Sequence, residues 1–151
     1  MNSNSTEILI VEDNPNDAQL TMRSLQKNNL ANHIMHVSDG QAAIDYIFGE
    51  GKYQGRNVLH QPKVVLLDLK LPKLNGLQVL ARIRGDKRTK ILPVVILTSS
   101  QEESDLIESY NLGANSYIVK PVEFENFAKS VQEVGLYWLL LNKPPIPGNK
   151  P

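Results

Sequence analysis

The sequence predicts an α/β protein with a doubly wound parallel sheet, and three observations support this prediction. Short apolar runs alternate with amphipathic helical patterns along the 151 residues. There are five such runs, each followed by a helical pattern, and this alternation is typical of a parallel sheet covered on both faces. The length suits one domain with a sizeable core, and we see no repeat, second domain or internal linker.

The strands and helices follow one another in regular order. The predicted strands are Ile8–Val11, Ile34–Val37, residues 64–68, Val94–Thr98 and Ser116–Val119. The predicted helices begin at Pro15 (to about Asn28), at Asp39-Gly40 (through Ile47), at Leu77 (to about Gly85), at Gln101 (to Leu112, with Gly113 as C-cap) and at Val122 (to Leu141). Residues 49–62 form a polar loop with three glycines, longer than most such connections.

Composition excludes several classes of protein. The chain has 16 basic and 16 acidic residues, so it has no overall positive field for nucleic acid or an anionic membrane. It has no cysteine, which excludes disulfides and thiolate metal sites. We find no signal peptide and no apolar stretch near the roughly 20 residues of a membrane helix. We therefore expect a cytoplasmic protein, with a domain at residues 1–141 and an extended proline-rich tail at 142–151.

Polar side chains follow four of the five strands, at the sheet edge where open α/β proteins bind ligands. They are Glu12 and Asp13 after the first strand, Asp68 at the end of the third, Thr98 at the end of the fourth and Lys120 after the fifth. Two carboxylates about 4 Å apart repel by roughly 4 kcal/mol at an effective dielectric constant of 20. Three clustered carboxylates therefore need a cation, and an all-oxygen site without histidine favours Mg²⁺ over zinc.

Phosphoryl chemistry is one use for such a site. A carboxylate such as Asp68 can attack a phosphoryl group and become an acyl phosphate. The metal and Lys120 would then neutralise phosphoryl oxygens, and Thr98 could donate a hydrogen bond to one of them.

Each residue also has an ordinary structural interpretation. Asp68 alone could be a helix N-cap or turn residue. Glu12 and Asp13 could simply cap the helix that begins at Pro15, for which Asp13 and Asn14 are both good caps. Thr98 is otherwise a strand-end threonine, and Lys120 a solvated loop lysine. Other residues near this edge have the same ambiguity: Tyr117 could be a half-buried strand aromatic, Lys70 a solvent-facing lysine, and Pro72 and Gly76 turn residues. His33, His36 and His60 are expected to lie away from the acidic edge.

Four stretches resemble the receiver domain of two-component response regulators, the CheY-like family. They are ILIVEDN (residues 8–14), LLDLKLPKLNG (66–76), VVILTSS (94–100) and GANSYIVKP (113–121). They occur in the family's order, and the resemblance spans roughly residues 7–135. It implies a flavodoxin-like (βα)₅ sheet in the order 2-1-3-4-5.

The resemblance also implies a role for each site residue. Asp68 would accept a phosphoryl group from a histidine kinase, with slow self-dephosphorylation afterwards. Asp13, Asp68, the backbone carbonyl of Lys70 and, mainly through water, Glu12 would hold Mg²⁺. The remaining roles fall to four residues: Thr98 and Lys120 contact the phosphoryl group, Tyr117 is the switch aromatic, and Pro121 follows a cis peptide. Lys70 and Ser100 would modulate the phosphoryl lifetime.

The last predicted helix carries more apolar residues than one core-facing stripe requires. The stripe is Phe127, Val131, Val134, Trp138 and Leu141, and the residues off it are Leu136, Tyr137, Leu139 and Leu140. Exposed apolar area of this kind favours a homodimer, through the face of the fourth helix, fifth strand and fifth helix. Cover by the chain's own tail is the alternative. The long loop and WLLLNKPP are similar to single-domain regulators paired with phytochrome histidine kinases.

Other functions fit the sequence less well. A haloacid-dehalogenase-like phosphatase also uses an aspartyl nucleophile and Mg²⁺, but it needs a second acid two residues later, where this chain has Lys70. A nucleotide-binding module is disfavoured because no glycine-rich phosphate motif is present. Neutral charge and the missing second domain argue against a DNA-binding transcription factor.

Overall fold

The structure is a computed structural model that describes residues 6–27, 33–100 and 102–119. Strands β1 to β5 are Ile8–Val11, Ile34–Val37, Val64–Leu67, Val94–Thr98 and Ser116–Val119. Helices α1 to α4 are Pro15–Lys27, Gly40–Phe48, Gly76–Arg84 and Glu103–Asn111. The predicted last helix, the tail, Lys120 and Pro121 lie outside the described residues.

The five strands form one parallel sheet in the order β2-β1-β3-β4-β5. The predicted fold class and strand order are therefore confirmed. Each predicted strand is present, although the third ends at Leu67, so that Asp68 begins the following loop rather than ending the strand. The helix α4 begins at Glu103, and Gly113 follows its C-cap Leu112 with a φ of 100°.

The core lies on both faces of the sheet, because successive side chains of a strand point in opposite directions. On one face Leu9, Val65 and Ile96 belong to a cluster that includes the buried residues of α2 and α3. On the other face Ile8, Leu66 and Val95 pack with Leu25 of α1. The three central strands β1, β3 and β4 are buried on both sides, which explains their nearly continuous apolar sequences, whereas the edge strands β2 and β5 are only partly buried.

The long loop at 49–62 has its own structure, including a short 3₁₀-helix at Gly51–Tyr53. Arg56 holds it against α2: Nε donates to the Tyr46 carbonyl at 2.7 Å, and the guanidinium lies 4.1 Å from the Tyr46 ring centroid. Burial lowers the pKa of Arg56, and the Tyr46 phenol acts in the opposite direction. The loop is thus a fixed part of the domain. Within the described residues every helix is too short or too polar to cross a bilayer.

The turn between β3 and α3 depends on a close backbone approach at Gly76. A Cβ atom there would lie 2.3 Å from the Asp68 carbonyl oxygen and 2.7 Å from the Leu69 Cα. The Gly76 N–H donates to the Leu69 carbonyl at 2.8 Å. Gly76 is therefore needed in this turn because the backbone of Asp68 and Leu69 packs closely against it, and not because its φ is unusual.

We predict that Gly76→Ala lowers the free energy of unfolding by about 1–3 kcal/mol, because the added methyl group must displace backbone. Chemical denaturation measures this change. Gly85→Ala is the matched control, since Gly85 has a right-handed φ of −83°, and we expect it to change stability by about 0.5 kcal/mol or less. Equal effects for the two variants would contradict the close-approach explanation.

Candidate functional site

Three carboxylates meet at the carboxyl edge of the sheet. Glu12 and Asp13 follow β1, and Asp68 follows β3, which pairs directly with β1. One oxygen from each side chain lies within 4.8 Å of the other two. Glu12 and Asp68 are buried, at 6% and 7% exposure, while Asp13 is exposed. The predicted convergence of these acids is confirmed.

The capping interpretation of Glu12 and Asp13 is wrong, because Asn14 caps α1. The Asn14 side-chain oxygen accepts from the Asn16 and Asp17 N–H groups at 2.9 and 3.1 Å. Glu12 instead accepts from the Asn14 N–H at 3.2 Å, which orients its carboxylate at the start of the loop. The Asp13 side chain therefore belongs to the acidic cluster and does not cap the helix.

The capping interpretation of Asp68 is wrong for the same reason. Asn75 caps α3, in a reciprocal capping box with Gln78 whose two hydrogen bonds are both 2.9 Å long. The Asp68 N–H donates to the Val11 carbonyl at 3.0 Å, so the backbone of β1 fixes its position. The Lys70 N–H approaches the Asp68 carboxylate at 3.4 Å, a long contact. Asp68 therefore lies at the cluster without serving as a cap.

The end of β4 forms a second part of this edge. Thr98 is fully buried, and its hydroxyl accepts from the Ser100 N–H at 3.3 Å. Tyr117 of β5 donates its phenol hydrogen to the Ser100 carbonyl at 3.1 Å. Burial raises the pKa of Tyr117; the hydrogen bond to Ser100 acts against this, while the carboxylates of Asp105, Asp68 and Glu102 add to it. Tyr117 thus lies partly buried, within electrostatic range of the acidic cluster.

Sequence reasoning missed two acids beside this loop. Ser100 donates its hydroxyl hydrogen to Asp105, and Lys70 Nζ lies 3.8 Å from a Glu102 carboxylate oxygen. Both side chains of the second pair are about two-thirds exposed, at 63% and 65%, so its contribution to stability is small. No sequence pattern indicates either contact, because each depends on how the chain turns between β4 and α4. The prediction that the Lys70 side chain faces solvent is confirmed.

The expectation that no histidine lies near the acidic edge is wrong. His36 of β2 places Nε2 2.8 Å from the backbone carbonyl of Glu12. The parallel register pairs Ile10 with His36, so this ring reaches the residue at which the loop after β1 begins. His36 contacts the backbone of Glu12, and the acidic cluster still consists of the side chains of Glu12, Asp13 and Asp68.

A hard divalent cation fits the donor set of this cluster. All three side chains offer oxygen, which Mg²⁺ prefers, and their mutual repulsion favours a positive ion between them. Thr98 lies at the end of a strand adjacent to β3, and Val119, the last residue of β5, pairs with it. Lys120 and Pro121 follow Val119 but lie outside the described residues.

The chain matches known proteins along most of its length. The family model for the response regulator receiver domain matches residues 8–132. The chain belongs to the response regulator receiver family. The family match confirms the predicted resemblance. Receiver domains accept phosphoryl groups in two-component signalling, and the phosphatase interpretation is not favoured.

Two curated relatives of this receiver come from different kinds of organism. The "Probable methanogenesis regulatory protein FilR2" of Methanothrix harundinacea is 42% identical over 93% of this chain and 88% of its own length. "Response regulator Rcp1" of Synechocystis is 36% identical over 87% of this chain and 88% of its own.

Solved structures of phytochrome response regulators have the same fold as this receiver. The phosphorylated cyanobacterial phytochrome response regulator RcpA is 35% identical, with a TM-score of 0.83 over 93% of this chain and 99% of its own. The Mn²⁺-bound form of Rcp1 is also 35% identical, with a TM-score of 0.82 and the same coverage. The bacteriophytochrome response regulator RtBRR is 48% identical, with a TM-score of 0.74 over 93% of this chain and 84% of its own.

We predict that Asp13→Asn has opposite effects on metal binding and on the stability of the metal-free protein. Removing one charge weakens Mg²⁺ binding about tenfold or more in calorimetry. The same change relieves repulsion and raises the unfolding free energy without metal by on the order of 1 kcal/mol. Glu108→Gln, which changes an exposed acid of α4 outside the cluster, is the control and should leave both unchanged. If Asp13→Asn is less stable than wild type without metal, this result would contradict the predicted repulsion among the three carboxylates.

We predict that Tyr117→Phe costs about 1 kcal/mol near neutral pH, because it removes the hydrogen bond to Ser100. The folded-state pKa of Tyr117 is raised, so its neutral form stabilises the fold fully below the unfolded pKa of 10.0. This stability is lost as pH rises through the higher folded pKa. Unfolding of both proteins from pH 7 to 11 should show the difference shrinking above pH 10. Tyr110→Phe, at an exposed position, is the control. If the difference in unfolding free energy between wild type and Tyr117→Phe stays constant to pH 11, the folded-state pKa of Tyr117 is not raised as we predict.

Proposed function

We propose that this receiver accepts a phosphoryl group on Asp68 from a histidine kinase, in a Mg²⁺-dependent reaction in the cytoplasm. The observation that carries the proposal is the meeting of Glu12, Asp13 and Asp68 within 4.8 Å. Asn14 and Asn75 cap the beginnings of the helices that follow the two loops, so neither Asp13 nor Asp68 is needed as a helix N-cap.

The proposed step is a transfer from imidazole to carboxylate. An Asp68 carboxylate oxygen forms a bond to phosphorus while the bond between phosphorus and the kinase imidazole nitrogen breaks. The imidazole leaves with the electron pair of that bond, and Asp68 becomes an acyl phosphate. When bound, Mg²⁺ would neutralise charge on the phosphoryl oxygens, held by Asp13, Asp68, the Lys70 carbonyl and Glu12 through water.

The chain's own residues would stabilise the new charge and change their contacts in response to it. The Thr98 hydroxyl would donate to a phosphoryl oxygen and the Lys120 ammonium would neutralise another. Phosphorylation adds about −1.5 to −2 charge units beside buried Thr98. If the Thr98 hydroxyl turns toward this charge, the Ser100 N–H loses its acceptor and Tyr117 loses a fixed partner at Ser100. This link supports Tyr117 as the switch residue, with Lys70 and Ser100 setting the lifetime before slow self-dephosphorylation.

The partner proposed is a phytochrome-type histidine kinase. Rcp1, RcpA and RtBRR support this choice, and the long loop at 49–62 agrees with it, while FilR2 shows that similar chains serve other regulation. We also propose that the chain signals by protein contacts, as a homodimer through α4, β5 and the last helix. The exposed Leu106, Ile107 and Tyr110 on α4 support that surface.

Acetyl phosphate tests the acceptor directly. With Mg²⁺, we expect the wild-type chain to accumulate one base-labile phosphate, mapped to Asp68 by mass spectrometry, and Asp68→Asn to accumulate none. Asp45→Asn, which removes a carboxylate on α2, is the matched control and should label like wild type. Labelling of Asp68→Asn at the wild-type rate would overturn the proposal. Rapid turnover of many phosphate esters without accumulation would instead favour a phosphatase.

A further inference from the structure

Exposed apolar side chains concentrate at two places on the described surface. Of the six large hydrophobic residues that are exposed there, five lie in two groups. Leu59 and Ile91 are 76% and 84% exposed, and both line one groove. The other three are Leu106, Ile107 and Tyr110, on α4. Such concentration marks interaction surfaces, whereas single exposed apolar residues are ordinary.

The groove lies at the opposite edge of the sheet from the acidic cluster. It has a volume of about 360 Å³, and Lys63 and Pro93, which immediately precede β3 and β4, form part of its wall. Its lining residues are Leu59, Gln61, Pro62, Lys63, Arg88, Ile91, Leu92 and Pro93. The long loop at 49–62 provides Leu59, so the Arg56 contacts that hold this loop also build the groove.

The charge of this groove is positive. Its two charged lining residues are both cations, Lys63 and Arg88. Arg88 is paired with Asp86 at 2.8 Å, Lys63 adds a second cation to the wall, and exposed Lys90 lies next to Ile91. An occupant of this groove should therefore combine aliphatic or aromatic side chains with acids.

The α4 helix has that chemistry. It contains Glu103, Asp105 and Glu108 and no lysine or arginine. Glu103, Ile107 and Tyr110 recur at i, i+4 and i+7, so an acid and two exposed apolar side chains share one helix face. Although the net charge of the chain is zero, the charges are unevenly distributed: α4 is acidic and apolar, and the groove is basic and apolar.

We propose that α4 of one copy docks in the groove of a second copy, in a head-to-tail contact. Different surfaces meet in such a contact, so it can extend to further copies or close as a ring. It differs from the two-fold dimer proposed above, in which each copy uses the same surface. Both contacts use α4, so each copy of the helix enters one or the other.

Sedimentation of the unphosphorylated full chain tests this contact. We expect the wild type and Ile91→Val to form species larger than dimers as concentration rises, and less so at high salt. Ile91→Asp places a carboxylate in the groove and Ile107→Lys places an ammonium on α4. Each should weaken head-to-tail association at least about tenfold. Both positions are exposed, and acetyl phosphate labelling of Asp68 in Ile91→Asp should match wild type.

Mixing the two variants gives the decisive result. An Ile91→Asp copy retains its α4, whereas an Ile107→Lys copy retains its groove but has an altered α4 surface in both proposed contacts. A labelled Ile107→Lys chain should therefore sediment as a monomer alone and as a one-to-one pair when unlabelled Ile91→Asp is added. Leu59→Asp in place of Ile91→Asp should give the same pairing. Wild-type protein that stops at a dimer unaffected by Ile91→Asp would overturn the head-to-tail contact. Monomers at all concentrations, or a mixture without pairs, would also overturn it.

Discussion

Repulsion among three carboxylates is the constraint on which the site depends. Parallel strands bring their carboxyl ends to one edge, and direct pairing of β1 with β3 places Asp68 beside Glu12 and Asp13. Two of the three acids are buried, where their charges are less well hydrated. Contacts with backbone groups hold them there. The Asp68 N–H donates to the Val11 carbonyl, the Asn14 N–H donates to the Glu12 carboxylate, and Gly76 packs closely against the Asp68 carbonyl. Fold stability thus maintains an anionic cluster that a cation, and then a phosphoryl group, can use.

The same packing connects this cluster to the surface. Thr98, Ser100 and Tyr117 form one chain of hydrogen bonds from the end of β4 to β5. Ser100 also donates to Asp105 in the first turn of α4. These contacts connect Thr98, at the same sheet edge as Asp68, to the helix whose acidic, apolar face we propose as an interaction surface.

Much of the fold was predictable from sequence because its signals are local. The apolar runs of the strands follow from burial on both faces, and Asp39 and Pro15 mark helix beginnings that the structure confirms. The three acids were predictable since strand ends in a parallel sheet share an edge. The contacts of His36, Glu102 and Asp105 were not, because they depend on strand register and loop path rather than on any pattern. The basic groove was equally hidden, since residues some 30 positions apart line it.

We propose that the acidic cluster of Glu12, Asp13 and Asp68 holds one divalent ion. Anomalous diffraction from crystals soaked in Mn²⁺, which prefers the same oxygen ligands, tests it most directly. We expect a single strong peak bonded to carboxylate oxygens of Asp13 and Asp68. Peaks scattered over surface acids, with none at this cluster, would contradict it.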